Sequence, residues 1–514
     1  MTTLTGTTGS TLVRDALAVL QPGFTGTTAP DWLLRRLDEG LAAVGLFGRN
    51  ITSPAQLAAL TAQLRGVRPD VLVAIDEEGG DVTRLEARTG SSFPGNHALG
   101  TVDDTALTRA VARELGRGLA ECGVNLNWAP SADVNSNPDN PVIGVRSFGS
   151  TPDLVARHTA AWVEGLQSAG VAACTKHFPG HGDTSVDSHH ALPRIDADPA
   201  TLAERELVPF RAAVDAGSKC VMSAHILLPA LDPALPATLS PAALTGLLRA
   251  PRGEGGLGFE GLIVTDGMEM RAIAATYGIE RGSVLAVAAG ADALCVGGGL
   301  ADEETVLRLR DALVRAVTEG ELSEERLAEA ADRVRALARW TAEASTRAGG
   351  VVPFEPGVGL EAARRALKVT VRQDHTPLTG PPYVAAFTPV ANIAVGDETP
   401  WGLAAELAEL LPGTATGSWS RSRAERAGQG GPAAQVLEEA AGRRIVAVVR
   451  DVHRHPWMAN ALDALLAARP DTVVVEMGLP QAPPRGALHI ATHGAARVCG
   501  QAAAEVIAGR ETDG

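Results

Sequence analysis

The run Val171-Ala172-Ala173-Cys174 leads through Thr175 into Lys176-His177-Phe178-Pro179-Gly180-His181-Gly182-Asp183-Thr184-Ser185-Val186-Asp187-Ser188-His189-His190. The first four residues are small and apolar, as a strand covered on both faces requires. The residues after them are opposite in kind. Histidines, aspartates, glycines and a proline cannot fill a core, because buried polar groups lose their water and glycine packs nothing. The junction reads as the carboxyl end of a buried parallel strand opening into a functional loop, and that reading sets the fold class.

Seven other apolar runs behave the same way. They end at Gln21-Pro22-Gly23, Val44-Gly45-Leu46-Phe47, Val71-Leu72-Val73-Ala74-Ile75, Val124-Asn125-Leu126-Asn127-Trp128, Cys220-Val221-Met222, Leu262-Ile263-Val264 and Ala293-Leu294-Cys295-Val296. Amphipathic stretches separate them: Leu107, Val111, Leu115 and Leu119 recur every four residues, one apolar helix stripe. A last helix opens at Ser323 and buries Leu327, Val334 and Leu337. Eight strands alternating with helices predict an α/β fold with a closed (β/α)8 barrel of the triosephosphate-isomerase type, the alternative being a doubly wound open sheet. The barrel is expected over residues 1–345, a Gly/Pro/Val linker over 346–356, and a smaller α/β domain over 357–514. Within the latter, Ile445–Val449 and residues 473–475, joined by a helix carrying Leu462, Leu465 and Leu466, predict a βαβ unit. Residues 413–431 read as a mobile loop, and His453, Arg454, His455, His489 and His493 as loop decoration.

The chain has 514 residues and a formal net charge of −15, too long for one ordinary domain and too acidic for a general polyanion binder. Nucleic acid is therefore not an expected partner. The 5 cysteines, Cys122, Cys174, Cys220, Cys295 and Cys499, are far apart and form neither a disulfide framework nor a CxxC metal site. A reducing, cytoplasmic setting is expected, with no spanning helix and no secretory leader.

In such a barrel the loops after the strands build the active site. Beyond the third strand stand Asp76-Glu77-Glu78-Gly79-Gly80 and Arg84; beyond the fourth, Asp133 and Arg146-Ser147-Phe148; beyond the seventh, Thr265-Asp266-Gly267. Asp187 and His189 lie two apart, so in a turned loop the carboxylate can hold one ring nitrogen while the other faces a substrate. Asp266 is the first carboxylate past its strand, a position that suits a rigid nucleophile or equally a helix N-cap. Lys176, His177, Arg146, Arg84 and Asp76 are suited to hydrogen-bonding the hydroxyls of one sugar, the alternative being structural ion pairs of Arg146 and Arg84 with barrel acids and a structural Asp76. His177 and His181 have the i, i+4 spacing of zinc ligands, but Pro179 and the glycines exclude a helix there, and neither metal nor cofactor is expected. His225 reads as a satisfied histidine, or alternatively as a hydrogen-bond donor supporting the site.

The 176–184 segment with Asp187-Ser188-His189, taken with Asp76-Glu77-Glu78-Gly79-Gly80, Arg146-Ser147-Phe148 and Thr265-Asp266, resembles the β-N-acetylglucosaminidases of glycoside hydrolase family 3 over residues 20–340. The resemblance implies that Asp266 is the nucleophile and that His189 and Asp187 form an acid/base dyad. It also implies that Asp76, Arg84, Arg146, Lys176 and His177 grip a terminal N-acetylglucosamine. The expected activity is an exo-acting retaining β-N-acetylglucosaminidase on a chitooligosaccharide or a peptidoglycan fragment. A β-glucosidase and an N-acetylglucosamine phosphorylase are the alternatives on the same scaffold; a metal-dependent hydrolase and a non-catalytic sugar-binding protein are those of other classes. Three positions depart from the family pattern: Glu77 stands where Gln is common, Asp81 where Arg is common, and Gly267 where a larger residue is usual. Asp81 is expected to remove a positive charge near the pocket mouth.

Overall fold

In the computed structural model, residues 6–186, 192–348, 355–372, 375–390, 395, 399–426 and 431–510 are described. Eight short parallel strands appear where the apolar runs end: β1 Leu20–Pro22, β2 Ala43–Leu46, β3 Leu72–Ile75, β4 Leu126–Asn127, β5 Ala172–Phe178, β6 Cys220–Ser223, β7 Leu262–Thr265 and β8 Leu294–Val296. All four residues of β3 are fully buried, as continuous aliphatic runs covered on both faces must be. Truncating one of them, Ile75 to Ala, would cost about 2–5 kcal/mol. The ladder runs β2-β3-β4-β5-β6-β7, passes through the Val264–Ala293 bridge toward β8, and ends on β1 paired with β8. Among the described residues no ladder joins β1 to β2, so the parallel sheet is curled and its seam lies between those two strands.

Helices cover the outside of this sheet. The helix Thr105–Glu121 buries Leu107, Val111, Leu115 and Leu119, the stripe read from their spacing. The helix Glu324–Ala348 starts on the Ser323 hydroxyl, which accepts the Arg326 N–H at 3.1 Å.

The second sheet has six strands: β9 Lys368–Val371, β10 Tyr383–Thr388, β11 Ala415–Ser420, β12 Ile445–Val449, β13 Val473–Glu476 and β14 Leu488–Ala491. Their order is β11-β10-β12-β13-β14-β9, parallel except for β9, which runs antiparallel along β14. The expected βαβ unit is β12, the helix Pro456–Ala468 and β13. Two expectations are corrected here. Residues 415–420 are an edge strand, not a mobile loop, because fully buried Trp419 packs against Tyr383 and Phe387 and anchors an otherwise polar, glycine-containing stretch. His489 lies within β14 and His493 is buried just beyond it, so neither decorates a loop.

The chain divides into two compact units that are not contiguous in sequence. One comprises Met1–Glu77, Thr108–Ile143 and Ser150–Glu355; the other comprises Glu78–Leu107, Gly144–Gly149 and Pro356–Gly514. All five cysteines are buried and outside any disulfide. No helix among the described residues is long and apolar enough to cross a membrane.

Candidate active site

Strand β5 is irregular where its chemistry begins. Thr175 pairs with Val221 and Phe178 with Ser223, so β5 carries one residue more than β6 across this interval. Regular strands send neighbouring side chains to opposite faces, and an extra residue re-aims them. Lys176 and His177 accordingly both reach acids at the ends of neighbouring strands. The Lys176 ammonium, 3% exposed, bonds the Asp76 carboxylate just past β3. The His177 Nδ1 meets Asp133 Oδ2 at 2.7 Å beyond β4.

Asp133 organises the loop. It is fully buried; Oδ1 accepts the His181 N–H at 2.7 Å and the His177 N–H at 3.3 Å, while Oδ2 also accepts the Ser131 hydroxyl at 2.9 Å. Burial alone would raise its pKa, but the charge and hydrogen bond of His177, with those of His181, outweigh it and hold the carboxyl well below the usual range. His177 Nε2 is thereby fixed in direction, as a carboxylate behind an imidazole does elsewhere. The sequence placed Asp133 on the rim without giving it this task.

His181 is fixed differently. The Thr184 hydroxyl donates its one proton to the His181 carbonyl at 3.0 Å, so at 2.8 Å from His181 Nδ1 it receives the ring N–H. Nε2 then carries a lone pair, and it has no hydrogen-bond partner among the described residues. Burial first, then the neighbouring His177, lower the His181 pKa to about 4, against the opposing pull of Asp133 and Asp266. Beneath this loop Gly180 has a φ of +128°, and a Cβ there would lie 2.7 Å from the buried Glu206 Oε2. Arg205 ties Glu206 Oε1 at 2.6 Å and Asp183 Oδ2 at 2.7 Å. Burial pushes Glu206 up to about 7 despite Arg205.

Asp266 is half-buried at the end of β7, its N–H on the Ser223 carbonyl at 3.1 Å and its Oδ1 accepting the Gly267 N–H at 2.8 Å. His225 supports that turn: Nε2 donates to the Gly267 carbonyl at 2.9 Å and Nδ1 bonds Thr238 at 2.9 Å, so the histidine is satisfied as expected and also braces the backbone beside Asp266. Glu269 fastens the next loop, accepting the Gly297 N–H at 3.0 Å. Burial raises the Cys295 thiol pKa, and the carboxylates of Glu269, Asp266 and Asp76 add to it; Asp266 also acts on His181. Asp76, Lys176, His177, Asp133, His181 and Asp266 thus belong to one electrostatic neighbourhood at the carboxyl ends of the parallel strands.

Arg146 and Arg84 fall in the second compact unit. Arg146 forms a two-pronged ion pair with Glu78, Nε to Oε2 at 2.9 Å and Nη2 to Oε1 at 2.6 Å, both side chains buried. Arg84 Nη1 donates to the Val395 carbonyl at 3.4 Å. Asp187 and His189 lie outside the described residues. Among the described residues no group of three or more His, Cys, Asp or Glu side chains is placed to hold a metal ion.

Residues 28–337 match the model of the glycosyl hydrolase family 3 N-terminal domain. The chain belongs to glycosyl hydrolase family 3. Among its family relatives, the β-hexosaminidase A of Pseudoalteromonas piscicida is 34% identical over 59% of this chain and 54% of its own, so the match spans about half of that relative. A β-hexosaminidase of Alkalilimnicola ehrlichii is 39% identical over 49% of this chain and 72% of its own. A family 3 β-N-acetylglucosaminidase from Paenibacillus sp. str. FPU-7 superposes with a TM-score of 0.82 at 33% identity, covering 97% of each chain. The curled parallel sheet followed by a second sheet is thus a family 3 architecture.

The three positions expected to depart from the family pattern have the following surroundings. Glu77 exchanges two bonds with Asn127 through its backbone, N–H to Oδ1 at 3.0 Å and carbonyl from Nδ2 at 2.7 Å, so this anchoring does not use its side chain. A Cβ on Gly267 would lie 3.4 Å from the Glu269 carboxylate, an ordinary contact distance, so nothing in the structure requires glycine there. The Asp81 side chain is 2% exposed and ion-paired with Arg450.

Proposed function

We propose that this chain is an exo-acting, retaining β-N-acetylglucosaminidase. The observation that carries the reading is the Asp266 carboxylate at the end of β7 in the same electrostatic neighbourhood as the Lys176–Asp76 and His177–Asp133 pairs. A half-buried carboxylate beside fixed donors suits attack on an anomeric carbon, and the pairs suit the hydroxyls of one sugar ring. The full-length likeness to a family 3 β-N-acetylglucosaminidase supports the acetamido sugar.

In this mechanism the Asp266 carboxylate bonds the anomeric carbon as the bond to the leaving oxygen breaks. His189, oriented by Asp187, gives its proton to that oxygen. Water then attacks the glycosyl ester, His189 takes back a proton, and the Asp266 carboxylate is released, giving net retention. Asp76, Lys176 and His177 hold the sugar, and Arg84 and Arg146 keep the sugar-binding role that the family resemblance gives them. The proposed setting is a cytoplasmic enzyme trimming chitooligosaccharides or peptidoglycan fragments.

Proton NMR of the first-formed anomer from 4-nitrophenyl N-acetyl-β-D-glucosaminide tests the scheme. The β anomer is expected first; an initial α anomer overturns it. Asp266→Ala should lower kcat by at least about 10³-fold.

A further inference from the structure

The segment Glu78–Leu107 follows β3 in sequence, yet it compacts with residues of the second sheet's domain. Its contacts say why. Asp81 Oδ1 accepts the Ala495 N–H at 2.7 Å, and its other oxygen is bonded by Arg450 Nη2. The Arg450 guanidinium also stands 6.0 Å from the Trp401 ring centroid. Further along, the Ser92 hydroxyl accepts Arg497 Nη2 at 2.5 Å, and a Cβ on Gly359 would come within 2.0 Å of the Ser92 carbonyl. Asp104 bonds Arg365 at 2.9 Å near the segment's end.

The segment has little freedom of its own. The Glu78 N–H donates to the Val82 carbonyl at 3.0 Å and the Gly80 N–H to the Phe93 carbonyl at 2.9 Å. Gly80 has a φ of +65°, and a Cβ there would lie 2.4 Å from Gly95 Cα, so these turns are closed against one another. Displacing Asp81 therefore moves Glu78 and Arg84, three residues to either side. A buried acid facing a single guanidinium is also an all-or-none tether, since removing one partner strands the other's charge.

We propose that Asp81 and Arg450 are positioning residues for carbohydrate binding: their ion pair sets where the Arg84 guanidinium and the Glu78–Arg146 pair stand. The proposal rests on the reading of Arg84 and Arg146 as sugar-binding cations.

The test compares full-length Asp81→Asn, Arg450→Met and Arg450→Lys with Arg485→Met, which breaks an exposed pair with Asp463 in the same domain. Two readouts are taken: kinetics with 4-nitrophenyl N-acetyl-β-D-glucosaminide, and amide exchange of peptides covering residues 78–107. In Asp81→Asn and Arg450→Met, KM should rise about tenfold with kcat within about threefold, and exchange should accelerate about tenfold. Arg450→Lys should recover most of both, and Arg485→Met should match wild type. If Arg450→Met does not fold, Asp81→Asn and Arg450→Lys carry the comparison. Folded variants with wild-type KM overturn the proposal, and faster exchange at unchanged KM does so too, since the pair would then be structural only. A wild-type chain that turns over no N-acetylglucosaminide would instead overturn the proposed function.

Discussion

Asp133 and Glu476 are buried acids beyond or at the carboxyl ends of parallel strands, one in each sheet, and both accept backbone N–H bonds. Glu476 takes the Asp451 N–H at 2.8 Å, the Val452 N–H at 3.2 Å and the Gly478 N–H at 2.8 Å. Yet Asp133 is held below the usual carboxylate range, whereas burial, aided by the negative Asp451, pushes Glu476 up to about 7. Amide donors alone do not keep a buried acid ionised. What separates the two edges is a partner that can carry positive charge: His177 and His181 face Asp133, while the charge acting on Glu476 is the Asp451 carboxylate. The rings of His97 and His493, tilted with centroids 5.4 Å apart, are pushed by burial to about 4 and about 3.

The largest test of this contrast is Asp133→Asn. It keeps an acceptor near His177 but removes the charge, and kcat/KM should fall about 10²-fold. Wild-type kinetics in that variant would mean that His177 needs no carboxylate behind it.

Stability against pH should separate the edges next. A depressed carboxyl such as Asp133 contributes stability present above the ordinary carboxylate pKa and lost as pH falls below about 4. Glu476 has the opposite sign: its contribution is complete below 4.5 and lost as pH rises through about 7. The thermal midpoint should therefore fall from about pH 5 to about pH 8 more steeply in wild type than in Glu476→Gln. Equal slopes would break the comparison. Glu206, also pushed up to about 7 although Arg205 opposes it, should give the same signature in Glu206→Gln.

The strands of the curled sheet were legible because parallel strands covered on both faces must be unbroken aliphatic runs, as at 71–75 and 262–264. Strand β11 was not: Ala-Thr-Gly-Ser-Trp-Ser carries one large apolar residue, and only the packing of Trp419 on Tyr383 and Phe387 makes it a strand. At the candidate site, residue types past each strand could be read, but their pairings could not. Asp133 and His177 are 44 residues apart, and nothing local announces that bond. The available signal was the Ser131-Ala132-Asp133 stretch a few residues past β4, which marks an acid with a built-in donor. Arg146 closing on Glu78 and Asp81 closing on Arg450 were hidden for the same reason, since buried ion pairs are tertiary facts.

The bond from the Thr184 hydroxyl to the His181 carbonyl constrains the proton inventory of turnover. With its only ring hydrogen committed to Thr184 and its pKa lowered to about 4, His181 presents an acceptor at Nε2 at neutral pH. It holds nothing to give to a departing alkoxide. An alkaline limb in the rate profile therefore reports another group, and changing His181 should leave that limb in place.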